Sequence, residues 1–156
     1  MPLSHATRAE YYRLGLETGL VDPDEVRDWA TSVIARLDEP SAEIIELSWS
    51  RTPQSLEQSL RAVEGDRDRT QAGERLLGLL REKHFVSESD LTWCARKAMH
   101  IARAAGLDED VYYEFDRLAD EIFLERNNPD GDLVACRQSM SEVLAKYPPP
   151  PSPGEA

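Results

Sequence analysis

Histidine and cysteine side chains are the residues of this sequence that could carry nucleophilic or metal chemistry. The chain contains His5, His84 and His100, together with Cys94 and Cys136. Metal sites on helices need ligands three or four positions apart, and the histidines have no such partner apart from isolated acid pairings. The cysteines lie far apart within apolar helical patterns, which is typical of small buried residues in a reducing compartment. These residues therefore predict no metal, no cofactor and no catalytic residue.

Other signatures of catalysis are also missing from the sequence. No Gly-x-Ser-x-Gly elbow, Walker loop or dinucleotide-binding Gly-x-Gly-x-x-Gly motif occurs among the eight glycines. The turn at Asp130 and Gly131 resembles part of a calcium loop, but Arg126 and Arg137 occupy its first and last ligand positions, where carboxylates are needed. We therefore expect a protein that is not an enzyme.

The segment LDEDVYYEFDRLADEIFLE, residues 107–125, is the clearest candidate for a binding surface. Val111, Phe115, Leu118 and Ile122 recur at helical spacing and predict the buried stripe of a helix. Beside that stripe we predict a partner-binding patch, with Phe123 as a further candidate, formed by Glu109, Tyr112, Tyr113, Asp116 and Asp120. Tyrosine rings offer rigid amphipathic contact area, and carboxylates attract a basic partner. The same pattern is also typical of a solvated helix face whose tyrosines are partly buried against the core.

The net charge of the chain limits the classes of molecule that we expect it to bind. Thirty acidic and eighteen basic residues give a formal net charge of -12, so the mean field repels phosphate backbones and anionic lipid surfaces. We therefore expect no nucleic-acid and no membrane partner, whereas a basic protein partner fits. The first residues contain no apolar signal core, and no apolar run reaches the roughly eighteen residues of a membrane span. We expect a cytoplasmic protein.

Hydrophobic periodicity, capping residues and helix breakers predict helices and no strand. We expect helices at residues 4–18, 23–37, 41–49, 53–64, around 76–80, 87–105, 109–125 and 133–146. In the second of these, helical spacing predicts a buried stripe formed by Val26, Trp29, Val33, Ile34 and Leu37. Gly73 and Gly78 weaken the fifth of these, since each glycine costs about 1 kcal/mol relative to alanine. The predicted fold class is therefore all-α, a single-domain bundle of seven to eight helices.

Two helix starts carry complete capping signals. Asp22 can cap the second helix, Pro23 fits its first position, and Glu25 can close a capping box, with Val21 and Val26 as a hydrophobic staple. A later start has the same pattern, formed by Val86, Ser87, Asp90 and Leu91. This recurrence is compatible with a degenerate repeat of helical hairpins.

The end of the sequence differs in composition from the rest. After Tyr147 the chain reads PPPPSPGEA, which lacks the apolar side chains needed for a core. We therefore predict one helical domain over residues 1–147, followed by an extended, flexible Pro-rich tail over residues 148–156.

Residues 11–50 resemble the opening of small all-helical bacterial proteins of the immunity type, which neutralise toxins delivered by neighbouring cells. The resemblance covers about the first third of the chain and is carried mainly by fold residues, namely Leu14, Gly15, Gly19, Leu20, Val21, Trp29, Ala30, Pro40, Ile45, Glu46, Leu47 and Ser48. It implies a helical, toxin-neutralising protein, and no binding residue carries over from it. Separately, VYYEFD is similar to the acidic, tyrosine-pair helix by which colicin DNase immunity proteins bind their toxins, which implies only a mode of binding.

These observations favour a non-enzymatic acidic protein that neutralises a basic protein partner, most specifically a bacterial toxin domain. One alternative is a helical enzyme or small-ligand-binding protein whose site is assembled from distant helices, with His84, His100 and Cys94 as candidates. Another is a structural or assembly protein that forms homo-oligomers through an apolar helix face near Trp49 or Trp93.

Overall fold

The protein is all-α in the residues that its computed structural model describes, which are 2–82 and 88–152 without the side chains of residues 88 and 89. These ranges contain eight helices and no strand, and none of these helices is long and apolar enough to cross a membrane. The helices are α1 (His5–Thr18), α2 (Pro23–Arg36), α3 (Ala42–Trp49), α4 (Pro53–Ala62), α5 (Arg69–Arg81), α6 (Glu88–Ala104), α7 (Glu109–Arg126) and α8 (Leu133–Leu144). The predicted fold class is confirmed.

Local capping contacts explain where the first helices begin and end. The side chain of Ser4 accepts a backbone hydrogen bond from the first turn of α1 at 3.1 Å. Gly19 ends that helix with φ at 79°, a left-handed conformation that glycine adopts without strain. At the start of α2, Glu25 accepts a hydrogen bond from the Asp22 amide at 3.4 Å, and Pro23 occupies the first turn. The predicted capping box at Asp22 is therefore confirmed.

The second predicted capping pattern falls partly outside the described residues. Val86 and Ser87 lie in the range 83–87, so neither the cap nor the staple with Leu91 can be compared with the structure. Leu91 itself is buried. The repeat of helical hairpins stays a prediction.

The chain divides into two compact units. The first consists of Met1–Ala72 together with Pro151–Ala156, and the second of Gly73–Pro150. The first unit therefore contains α1 to α4, and the second contains most of α5 together with α6, α7 and α8. That residues 1–147 act as one domain stays a prediction.

The first unit buries apolar side chains from each of its helices. Its core includes Tyr11, Tyr12, Leu14, Val26, Trp29, Val33, Ile44, Leu47, Leu56 and Leu60. Leu37, which we expected to complete the inward stripe of α2, is instead 42% exposed. The helix ends at Arg36 and Leu37 has extended backbone angles, so its side chain no longer follows the helical periodicity that predicted its burial.

The second unit packs α7 against both α6 and α8. Its core includes Leu76, Leu77, Leu80, Leu91, Cys94, Ile101, Phe115, Leu118, Ile122 and Met140. The predicted inward stripe of α7 is confirmed for Phe115, Leu118 and Ile122, whereas Val111 is only half-buried. One face of α7 thus packs in the core, and the opposite face is accessible to other contacts.

The two glycines of α5 permit close approach of other backbone and side-chain atoms. A Cβ at Gly73 would overlap the Cβ of Ala105, and a Cβ at Gly78 would overlap the carbonyl oxygen of Pro148. Helix propensity predicted only the cost of these glycines to α5, and not the neighbouring atoms that require them. Gly78 therefore gives the segment after α8 a place to pack against α5.

Residues 148–152 are non-helical, and two of their carbonyl groups accept hydrogen bonds from arginines. Within the second unit, Arg75 Nη1 donates to the Pro149 oxygen at 3.1 Å. Within the first unit, Arg8 Nη2 donates to the Ser152 oxygen at 2.7 Å. The sequence analysis expected a flexible tail from Pro148 onward and did not predict these contacts.

Candidate functional site

Helix α7 presents the five predicted partner-binding residues on the side away from its core stripe. Because successive residues of a helix turn by about 100°, Glu109, Asp116 and Asp120 lie within about 40° of one another around the axis. Phe115 and Ile122 point to the opposite side and are buried. The structure therefore brings the predicted patch together on one helix face, as the helical spacing indicated.

The exposure of the patch differs among its members. Tyr113 is 58% exposed, and Glu109 and Asp120 are also exposed, whereas Tyr112 and Asp116 are half-buried. The aromatic and acidic groups of the patch are thus all accessible at least in part. This distribution is compatible both with a binding surface and with the solvated face that the sequence left open.

Two further apolar side chains extend the patch toward the end of α7. Phe123 and Leu124 are both more than half exposed. Leu124 lies three turns after Tyr113, about 16 Å along the helix axis, and the sequence analysis did not name it. Helical spacing from Tyr113 was the signal that could have found it. We call the surface formed by Glu109, Tyr112, Tyr113, Asp116, Asp120, Phe123 and Leu124 the α7 face.

Tyr112 is held in place by its neighbours in the second unit. The guanidinium of Arg103 lies over the Tyr112 ring, 4.3 Å from the ring centroid, and the rings of Tyr112 and Tyr113 pack edge to face at 5.6 Å. Such contacts orient aromatic rings and restrict their rotation. The exposed ring of Tyr113 therefore packs against the ring of Tyr112, which in turn contacts Arg103.

A recess opens beside the two tyrosines. It has a volume of about 230 Å³ and is lined by Ala102, Arg103, Gly106, Leu107, Glu109, Tyr112 and Tyr113. A Cβ at Gly106 would meet no atom within 4 Å, so this side of the recess is open. The α7 face thus combines exposed apolar groups with a concave element of about the size that one side chain fills.

The acidic groups of the α7 face are available to a partner. Among the described residues, Glu109, Asp116 and Asp120 form no ion pair, whereas Glu114 on another side of the helix is paired with Lys146 at 3.1 Å. Carboxylates without internal partners contribute fully to the local negative potential. The face therefore attracts positively charged groups.

The two cysteine thiols are controlled by burial. Burial raises the pKa of the Cys94 thiol to about 12, so this side chain stays protonated and is a poor nucleophile. Burial, with the nearby carboxylates of Glu125, Glu121 and Asp132, also raises the pKa of Cys136. Both cysteines are free and buried, which confirms their predicted role as small core residues.

Of the described histidines, His5 belongs to the first unit and His100 to the second. His100 is exposed, whereas Cys94 on the same helix is buried. His5 packs edge-on against Trp29, with ring centroids 6.2 Å apart, and its pKa is lowered by burial and by the charges of Arg36 and Arg8. His84 lies outside the described residues. No group of three potential metal ligands occurs in the residues described.

The first unit contains a cleft that the sequence analysis did not predict. It has a volume of about 460 Å³, and Leu16, Val21 and Leu56 contribute to its apolar lining. The ionisable side chains around it are Arg13, Glu17, Glu57 and Arg61. Arg13 pairs with Glu17 at 3.5 Å, and Arg61 pairs with Glu57 at 2.9 Å. The cleft is assembled from three separate segments, which explains why no local pattern indicated it.

A buried carboxylate lies next to this cleft. Glu10 accepts hydrogen bonds from Arg13 at 2.5 Å and from Arg67 at 2.7 Å, and Arg69 lies 3.4 Å away. Burial by itself would raise the pKa of Glu10, but the hydrogen bonds and charges of Arg13 and Arg67 outweigh it and lower the pKa to about 2. This cluster attaches the segment before α5 to α1, since Arg67 also donates to the Leu60 carbonyl at 2.7 Å.

Comparisons with known proteins returned no matching family model, no matching curated protein and no matching solved structure. The interpretation of the α7 face and of the cleft therefore comes from their own geometry and chemistry.

Proposed function

We propose that this protein is a non-enzymatic binding protein that uses the α7 face to bind a basic protein partner. The observation that carries this proposal is the alignment of Tyr113, Phe123 and Leu124, all exposed, with unpaired carboxylates on one helix face. Exposed apolar groups of this kind are typical of protein interfaces when polar residues surround them. The net charge of -12 favours a partner of opposite charge.

The specific partner that we propose is a bacterial toxin domain, which the protein would neutralise by covering its active surface. Two resemblances in the sequence motivate this version. The first is the similarity of residues 11–50 to immunity-type proteins, and the second is the similarity of VYYEFD to the toxin-binding helix of colicin DNase immunity proteins. Enzymes that act on nucleic acids present basic surfaces, because they must attract phosphate groups. An acidic face competes directly for such a surface.

A binding experiment with the full chain tests this function. Purified toxin domains encoded beside its gene are titrated with the protein by calorimetry, and toxin activity is measured in parallel. We expect a stable complex with one of these domains and loss of its activity. If none of them binds, the toxin-neutralising function is wrong.

Matched variants test whether the α7 face is the surface used. Asp120→Ala should lower the association rate, with a larger effect at low ionic strength, because exposed carboxylates act mainly by steering. Asp38→Ala removes a charge that is also exposed, from the first unit, and should leave the rate nearly unchanged. Equal effects of the two substitutions would mean that only net charge matters.

The cleft of the first unit supports a second candidate function, the binding of a small amphipathic ligand. Its volume of about 460 Å³ and its apolar lining with a few charged groups match the usual properties of ligand sites. A screen of small amphipathic compounds, followed through the methyl resonances of Leu16, Val21 and Leu56, tests this function. Displacement of those resonances by a compound supports it, with Arg61→Ala weakening the effect. Absence of any response from these three residues contradicts it.

A further inference from the structure

A third surface, on α3 and α4 of the first unit, is independent of the α7 face and of the cleft. Trp49 at the end of α3 is 62% exposed, and Ile45, one turn earlier on the same side, is also exposed. The inward side of this helix is provided by Ile44 and Leu47, which are buried. The outward tryptophan is therefore not needed for the core of the first unit.

A groove lies directly beside this tryptophan. It has a volume of about 470 Å³, and its lining includes Glu46, Trp49, Arg51, Ser55, Ser59 and Ala62. Four of the lining residues come from α4, and three of them, Ser55, Ser59 and Ala62, are small and lie about one turn apart, whereas the fourth is Gln58. Since small-ligand pockets begin at about 300 Å³, the groove is large enough for an aromatic side chain.

Two opposite charges lie within the same surface. Glu46 accepts a hydrogen bond from Ser59 at 3.3 Å, which holds its carboxylate at the groove. Arg51 lines the groove, and it forms no ion pair with any residue that the structure describes. The surface thus contains a projecting tryptophan, a groove, one acid and one base.

We propose that this surface, which we call the Trp49 face, forms a weak two-fold symmetric dimer with a second copy of the chain. In a two-fold interface the same surface contacts itself, so that each residue and its contact occur twice. Trp49 of one copy would occupy the groove of the other, and Glu46 of each copy would lie against Arg51 of its partner copy. A two-fold interface requires a surface that is complementary to itself. The Trp49 face meets this requirement because it contains both a projecting side chain and a groove, and both an acidic and a basic residue.

The size of the surface determines the expected affinity. A tryptophan buries about 150–250 Å² in an interface, so two copies of Trp49 and Ile45 cover less than the roughly 1,200 Å² of a stable complex. The net charge of -12 on each copy also opposes association. We therefore expect a dissociation constant of about 10 μM to 1 mM.

Sedimentation of the full chain over micromolar to millimolar concentrations tests the dimer. We expect the mass to rise from 17.6 kDa toward twice that value. Trp49→Ala should weaken the dimer at least about tenfold, whereas Trp93→Ala, at a 40% exposed position of the second unit, should have no effect. A monomer at every concentration, or equal effects of the two substitutions, would overturn the proposal.

Charge reversal tests the symmetry directly. Glu46→Arg and Arg51→Glu should each weaken self-association at least about tenfold, because like charges then face each other across the axis. An equimolar mixture of the two variants should form a heterodimer, since every contact again joins opposite charges. Circular dichroism of each variant confirms that it is folded. If folded variants do not associate on mixing, the two-fold arrangement is wrong.

This test is separate from that of the proposed function. Tyr113→Ala alters the α7 face in the second unit and should leave self-association unchanged. Trp49→Ala should in turn leave binding of a basic partner at the α7 face unchanged. Either proposal can therefore fail while the other stands.

Discussion

The carboxylate of Glu10 and the guanidinium of Arg13 lie one turn apart on α1, joined at 2.5 Å, with both side chains buried. Arg67 donates to the other oxygen of Glu10 at 2.7 Å. With Arg69 at 3.4 Å, three cations thus surround a carboxylate that is only 2% exposed. A buried charge is tolerated only when such partners satisfy it.

Removing the charge of Glu10 should destabilise the protein. Glu10→Gln leaves the buried Arg13 guanidinium with only the half-exposed Glu17 as a counter-ion, at 3.5 Å, and breaking a buried pair in this way costs about 3–5 kcal/mol. Urea unfolding at neutral pH measures the change. Glu57→Gln is the control, because its pair with Arg61 is about half exposed on both sides and should contribute at most about 1 kcal/mol. Similar losses for both variants would show that burial of the Glu10 cluster contributes little.

The stability of the protein should also fall at acidic pH, because Glu10 becomes protonated. The folded pKa of Glu10, about 2, lies below its ordinary value of 4.5, so its contribution is complete above pH 4.5 and is lost as the pH falls toward 2. The difference corresponds to about 3 kcal/mol. The difference in unfolding free energy between wild type and Glu10→Gln, measured at pH 6, 4 and 3, should therefore become smaller as the pH falls. A constant difference over this range would contradict the assignment.

Alanine at position 78 should destabilise the protein despite its higher helix propensity. In an open helix, Gly→Ala gains about 1 kcal/mol, but here the added Cβ would overlap the Pro148 oxygen. We expect a net loss of stability in the full chain, measured by thermal unfolding. In a chain that ends at Tyr147 the same substitution should become neutral or stabilising. If its effect does not depend on the residues after Tyr147, the packing of this segment on Gly78 is not significant.

Alanine substitutions of the two tyrosines of the α7 face should differ in their effect on stability but should both weaken binding. Tyr112→Ala removes contacts with Arg103 and Tyr113 and should cost about 1 kcal/mol of stability. Tyr113→Ala changes an exposed side chain and should alter stability by less than about 0.5 kcal/mol. Each should weaken binding of a basic partner by about 1 kcal/mol or more, as should Asp116→Ala. Unimpaired binding by all three variants would exclude this face as the binding surface.

The helix boundaries of this protein were predictable because the groups that define them lie close together in the sequence. Asp22, Pro23 and Glu25 form the start of α2 within four positions, and Gly19 ends α1 by its own backbone conformation. Leu37 is one exception, since its burial depended on whether α2 continued beyond Arg36. The start of α5 is another, since this helix begins at Arg69 whereas the spacing of its leucines predicted only residues around 76–80.

The α7 face was predictable for a related reason. Helical periodicity alone separates Phe115, Leu118 and Ile122 from the opposite side, so the position of Tyr113 and Asp120 followed from their spacing. The extent of the face was not predictable in full. Leu124 fits the same spacing from Tyr113, but its exposure depends on which neighbouring helices leave it uncovered.

What the sequence alone determined is therefore the helical fold class, several helix ends and the composition of one helix face, since each depends on residues within a few turns of one another. Tertiary structure decided the burial of Glu10 among arginines from two segments, the close approach at Gly78, and the cleft and groove of the first unit. These features join residues that are distant in the sequence. Their energies come from burial and from charge pairing, which exist only after the segments have come together.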